Sequence, residues 1–157
     1  MTANPLWDYA TTLYSAPAVA ERCLALQDAH AANVNLLLLC CWAGQAGVIL
    51  DIPALRSAEE VVAEWEKRMV VPLRLQRRRL DLSRSGCREE RQRLLTEELQ
   101  AERREHDLLQ AWFSKREQGE RYPLRSAIAA NLANYARLLA IPEADIAGLR
   151  DATLAGG

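Results

Sequence analysis

The stretch Val34-Asn35-Leu36-Leu37-Leu38-Leu39-Cys40-Cys41-Trp42-Ala43, running on through Gly44 and Gly47 to Leu50, decides the fold. Seventeen residues are at the lower edge of a membrane span. Asn35, Gln45 and the two glycines interrupt the run, and no Lys or Arg lies between Arg22 and Arg56 to orient it. It therefore reads as a helix apolar on all sides, which must be buried at the centre of a helical domain. Asn33 is placed to cap it.

Working outward, helical periodicity continues in both directions and no strand pattern appears. Toward the N-terminus, Asn4 caps and Pro5 opens a helix with Leu6, Tyr9, Leu13 and Tyr14 on one face. Beyond Pro17 a second helix turns Val19, Cys23, Leu24 and Leu26 inward. Toward the C-terminus, Ser57-Ala58-Glu59-Glu60 has the form of a capping box. The helix it opens carries a stripe of Val61, Val62, Trp65 and Met69, and Pro72 is expected to kink or interrupt it. Ser83-Arg84-Ser85-Gly86 has the composition of a short connection. The next helix runs from about Cys87 to Gln118, with a seam of Leu95, Leu99, Glu102, His106, Leu109 and Phe113. Pro123 and Pro142 start two further helices.

The expectation is a single all-α domain over 1–157, a bundle of about six or seven helices. It contains a long antiparallel hairpin over about 57–118 and a short flexible tail at about 154–157.

The chain has 157 residues, half of them apolar, which suits one core. Its 20 basic and 21 acidic residues nearly cancel, which argues against a general nucleic-acid coat. Of the basic residues, 18 are Arg and 2 are Lys, and their distribution is uneven. Residues 1–66 hold 2 basic and 8 acidic groups, whereas residues 67–93 hold 10 basic and 3 acidic groups. Arg74, Arg77, Arg78, Arg79, Arg84, Arg88 and Arg91 thus gather around the hairpin connection. They form a candidate surface for a protein partner with an acidic face. Nucleic acid fits less well, because no aromatic residue between Trp65 and Trp112 could stack on a base. A homodimer through an apolar strip of the hairpin is compatible with the pattern.

A second candidate is the polar cluster Gln27, Asp28, His30, Asn33 and Asn35 beside the buried helix. It could line a pocket in which His30 acts as a base oriented by Asp28 or Asn35. The plainer reading is helix capping and backbone bonding. Metal chemistry is not expected. The di-iron pattern needs Glu three residues before His, and here Arg103 precedes His106 and Gln27 precedes His30. Glu98, Glu102, Glu105 and His106 could bind an ion opportunistically, but Glu102 with Arg103 and Arg104 more simply solvates the helix. Hydrolase, phosphate-loop and dinucleotide fingerprints are missing, so no catalytic residue or cofactor is assigned. Cys23, Cys40, Cys41 and Cys87 form no C-x-x-C pair, and a reduced cytoplasm is expected. The N-terminus has neither the basic nor the apolar region of a secretory signal, which agrees with that compartment.

Several segments carry a family resemblance. They are Leu6-Trp7-Asp8-Tyr9-Ala10 with Leu13-Tyr14, Cys23-Leu24-Ala25-Leu26-Gln27-Asp28, Asn33-Val34-Asn35-Leu36-Leu37-Leu38 and Trp42. Val71-Pro72-Leu73-Arg74, Glu97-Glu98-Leu99-Gln100-Ala101-Glu102 and Asn131-Leu132-Ala133-Asn134-Tyr135 extend it. The chain resembles a family of small proteobacterial proteins known only as a domain of unknown function. The resemblance implies a bacterial cytoplasmic helical protein and assigns no catalytic residue. With the arginine cluster it leads to one expectation: a non-enzymatic cytoplasmic helical adaptor or regulatory protein. A small enzyme or ligand-binding protein with a pocket around Asp28, His30 and Asn35 is the alternative.

Overall fold

A computed structural model describes residues 4–82, 88–116 and 119–155. Within them the chain is all-helical, in the order α1 Pro5–Tyr14, α2 Pro17–His30, α3 Val34–Gln45, α4 Ile52–Trp65, a π-helical turn Glu66–Val70, α5 Val71–Leu82, α6 Arg88–Ser114, α7 Leu124–Leu139 and α8 Glu143–Ala155. Because α4 and α5 run on through the π turn, these segments form seven helical rods among the described residues. The connection 83–86, Arg84 and Cys87 lie outside the described residues, as do 156–157 of the expected tail. Leu154 and Ala155, also assigned to the tail, belong to α8, and Leu154 packs against the core.

Local signals at the N-terminal helices act as their chemistry dictates. Asn4 Oδ1 accepts the Trp7 amide at 2.8 Å ahead of Pro5, and Asn33 Oδ1 accepts the Asn35 amide at 2.8 Å. Leu36 to Cys41 are all buried, so α3 is the central rod, packed most extensively on α7. That approach requires Gly44: a Cβ there would stand 2.6 Å from the backbone nitrogen of Ile128. The turn after α3 needs Gly47 at φ +79. It leads into an irregular segment whose Leu50 is fully buried.

Buried Asn131 holds this segment. Its Nδ2 donates to the Cys40 and Val48 carbonyls at 3.0 and 2.9 Å, and its Oδ1 accepts the Leu50 amide at 2.6 Å. Irregular backbone inside a core needs such partners.

Four sequence expectations need correction. The first arm of the hairpin begins at Ile52 rather than near Ser57. Asp51 Oδ1 caps the Ala54 amide at 2.9 Å, and Pro53 sits in the first turn, where its missing amide costs nothing. Ser57, expected as a cap, lies inside α4 and accepts the Trp112 indole N–H at 3.1 Å.

Second, the inward stripe of this arm is not Val61, Val62, Trp65 and Met69. Val62 and Val70 are fully buried, while Val61 and Met69 are exposed. A regular helix would bring Met69 back to the core one heptad after Val62. The π turn, in which the Val71 amide bonds to the Glu66 carbonyl five residues back, delays that return to Val70. The same turn accommodates Pro72, whose ring would meet the Arg68 carbonyl in a regular helix.

Third, the seam of α6 falls on Leu94, Glu98, Ala101, Glu105 and Leu109 with His106, and Leu99 is exposed. Glu98 and Glu105 can lie inside because the opposing arm and Asn33 provide hydrogen-bond donors. Fourth, Leu24 faces outward from α2.

The two arms are antiparallel. Ser57 meets Trp112, the Trp65 indole donates to the Ala101 carbonyl at 2.7 Å, Arg77 meets Glu98 and Asp81 meets Arg91. Among the described residues no helix is long and apolar enough to cross a membrane.

Candidate binding cleft

The hairpin arms, through Arg74 to Arg78 of α5 and Leu95 to His106 of α6, and the first three helices line a cleft of about 430 Å³. Helix α1 supplies Trp7 and Tyr14 seven residues apart, hence on one face. Leu24 and Gln27 come from α2, Asn35 and Leu38 from α3, and Arg74, Arg77 and Arg78 from α5. Helix α6 adds Leu95 and Leu99 beside the ladder Glu98, Glu102 and His106, spaced four residues apart so that they stack along one face.

Two groups of residues that the sequence separates thus meet in one place. Of the polar cluster, Gln27 and Asn35 reach the cleft. Asp28 is exposed and pairs with Arg78 at 3.5 Å. His30 pairs with Asp145 of α8 at 2.8 Å, and Asn33 serves as the α3 cap. Asp28, His30 and Asn35 therefore do not converge on a common pocket.

Of the candidate arginines, Arg77 Nε donates to Glu98 Oε2 at 2.6 Å and its Nη2 to Oε1 at 3.2 Å, a two-pronged grip on a buried carboxylate. Asp81 lies 3.4 Å from Arg77 and 2.7 Å from Arg91. Arg74 stands 3.7 Å from Glu66. Arg79 and Arg88 are exposed and form no ion pair with a described residue. Arg84 is outside the described residues. Arg74, Arg77, Arg78 and Arg91 of the basic block are thus paired with carboxylates of their own chain.

Behind the cleft, burial and a hydrogen bond with Glu66 hold the Glu105 carboxyl well above its ordinary range. Oε2 of Glu105 and Oε2 of Glu66 are both buried with no hydrogen-bond donor facing them. Asn33 Nδ2 donates to Glu105 Oε1 at 2.8 Å, and the Asn33 amide donates to the Tyr135 hydroxyl at 3.0 Å. Glu102 is raised to about 7, by burial first and then by Glu98 and Glu66 against Arg74 and Arg77. It has no hydrogen bond or ion pair with a described residue. His106 is lowered to about 4 by burial, with Asp107 opposing and Arg103 reinforcing. Neutral His106 donates from Nε2 to Asn35 Oδ1 at 2.6 Å, and its Nδ1 is buried without a partner. Trp7 packs edge-on against the imidazole at 5.1 Å between ring centres.

Periodicity had flagged Glu102 and His106 as polar residues on an apolar seam. Sequence reasoning assigned no role to Trp7, Tyr14, Leu95 or Leu99 here, because only the fold brings α1 against α6. Among the described residues, no group of three His, Cys, Asp or Glu side chains is placed to hold a metal ion. Cys23, Cys40 and Cys41 are free and buried, and burial pushes the Cys23 and Cys41 thiols up to about 12.

No curated protein and no solved structure matches the chain. Residues 5–109, which include α1 to α5, most of α6 and every residue named as lining the cleft, match the model of the family described as "Protein of unknown function (DUF2390)", and the chain belongs to that family.

Proposed function

We propose that this chain is a non-enzymatic adaptor or regulatory protein of the bacterial cytoplasm that binds a segment of a partner protein in the cleft between the hairpin and the first three helices. The observation that carries this reading is the meeting of an apolar wall and a charged rim in one concave site. Leu24 and Leu99 are 43% and 54% exposed, so an amphipathic helix could lay its apolar side chains on them. Burial of that surface contributes roughly 25 cal/mol per Å². Acidic groups flanking the segment would meet half-exposed Arg78 and exposed Arg79 and Arg88 of the hairpin. Three free, buried thiols suit a reducing compartment. The cleft volume also falls within the range of small-ligand sites, which supports a ligand-binding protein as the second reading.

Photo-crosslinking in the native host separates these readings. A crosslinking residue replaces Leu99 at the rim or, as a control, exposed Val61 on α4. The expected result is a crosslinked segment, specific to position 99, that is apolar on one face and acidic beside it. A synthetic peptide of that sequence should quench Trp7 fluorescence and bind less tightly to the Arg78→Glu, Arg79→Glu double variant. Equal crosslinking from both positions, or a small molecule retained in the purified protein and contacting Leu99, would overturn the protein-partner reading.

A further inference from the structure

We propose that the cleft floor binds one positively charged group of its occupant, an ammonium or guanidinium, which pairs with Glu102 in the site walled by Trp7 and Tyr14. The inference rests on the cleft being a binding site, whatever the class of its occupant.

The charges around the cleft show why. Every arginine lining it already has a carboxylate within 4 Å: Arg74 has Glu66, Arg77 has Glu98 and Asp81, and Arg78 has Asp28. An incoming anion would have to displace one of these internal partners. Glu102 is the carboxyl left over, largely enclosed yet lining open space, with no ion pair to a described residue. Glu98 from α6 and Glu66 from the π turn act on it against Arg74 and Arg77 from α5, Glu102 in turn acts on Tyr14 from α1, and His106 lines the same cleft. Arg74 and Arg77 offset Glu66 and Glu98 in sign and number, so a charge on Glu102 itself is uncompensated. A ligand cation supplies what is missing. The aromatic wall suits the same sign: the Trp7 ring already carries one cation, the Arg103 guanidinium 5.1 Å from its centre, and Tyr14 adds a second ring to the wall. Apolar Leu95 and Leu99 beside the carboxyl suit an occupant whose charge is carried on a hydrocarbon stem, as in a lysine or arginine side chain or an aralkyl amine.

Three probes of similar size and different charge test this: phenethylamine, 3-phenylpropionate and 2-phenylethanol, each titrated at pH 7.5 while the Trp7 indole resonance is followed. Phenethylamine should bind at least tenfold more tightly than the other two. In Glu102→Gln that advantage should disappear, with the thermal melt reporting that the variant is folded. Bound amine should also lower the pH at which the Glu102 carboxyl carbon titrates in the wild type. Tighter binding of 3-phenylpropionate, or an amine advantage that survives in Glu102→Gln, overturns the assignment. Equal binding of all three overturns it while leaving the cleft a binding site, whereas no response to any probe removes both readings. If Glu102→Gln does not fold, the ranking of the three probes on the wild type still decides.

Discussion

Arg77 grips Glu98 across the hairpin through two hydrogen bonds, at 2.6 and 3.2 Å, with the Glu98 carboxylate almost wholly out of solvent. The pair fixes the register of α5 on α6 and the width of the cleft between them. Removing one partner strands a buried charge, which costs on the order of 3 kcal/mol. Arg77→Met should therefore lower stability by about that amount in urea denaturation. The double variant Arg77→Met, Glu98→Met should recover much of the loss, because both charges then leave together. Equal losses in the single and double variants would mean that the pair does not hold the arms.

Asn131 makes a second test at the other end of α3. Its amide satisfies the Val48 carbonyl and the Leu50 N–H of a buried irregular segment and ties both to the Cys40 carbonyl of α3. Asn131→Leu is close in volume but takes the side-chain partner from the Val48 carbonyl and the Leu50 N–H, while the Cys40 carbonyl keeps its place in the α3 ladder. At roughly 1 to 3 kcal/mol for each stranded group, the variant should fold weakly or not at all. An unfolding midpoint within a few degrees of wild type would contradict this account of the Val48 to Leu50 segment.

His106 and Glu102 should give opposite slopes of stability against pH. His106 titrates at about 4 in the folded chain against 6.5 unfolded, so its contribution is present above 6.5 and is lost as pH falls toward 4. Glu102 titrates at about 7 against 4.5, so its contribution is present below 4.5 and is lost as pH rises through 7. Relative to wild type, His106→Gln should lose less stability on acidification and Glu102→Gln less on moving from pH 4.5 to 7.5. Urea midpoints measured across pH 4 to 8 check both signs.

Gly44→Ala tests the closest helix contact. The added methyl meets the Ile128 backbone nitrogen and Cα, at 2.6 and 2.7 Å, as well as its Cγ1 at 2.6 Å. Overpacking of this kind costs typically 1–3 kcal/mol. Ile128→Ala in the same chain should not relieve it, since the obstructing atoms include main chain, and the melting temperatures of both variants decide the point.

The sequence made the helices legible where a single residue type settles a local question. Asn4 and Asn33 cap because their short side chains reach the next amides, and α3 is central because no face of it is polar. Reading failed where tertiary partners override pattern. Leu99 looks interior and Glu98 exterior until Arg77 arrives from the other arm to satisfy the carboxylate. The arginine block looks like a free basic surface until Glu66, Asp81 and Glu98 are found beside it. Of the cleft, Gln27 and Asn35 could be suspected from local polarity, Arg74, Arg77 and Arg78 from the charge run, and Glu102 and His106 as misfits on their seam. The remainder depends on contacts between residues about a hundred positions apart, such as Trp7 with His106.

The turn at Glu66–Val70 sets the angular phase of everything after it. One residue beyond a regular helix amounts to a rotation of about 100° about the rod axis. Deleting a single residue there would let the rod close into an unbroken α-helix, save for the strain at Pro72. Arg74 and Arg77 would then swing away from Glu66 and Glu98, and Leu75 and Arg78 would take other bearings. The hairpin would keep its length and composition but lose the alignment that makes its inner edge one side of a cleft. A one-residue surplus in the backbone, rather than any side chain, thus chooses which arginines look inward.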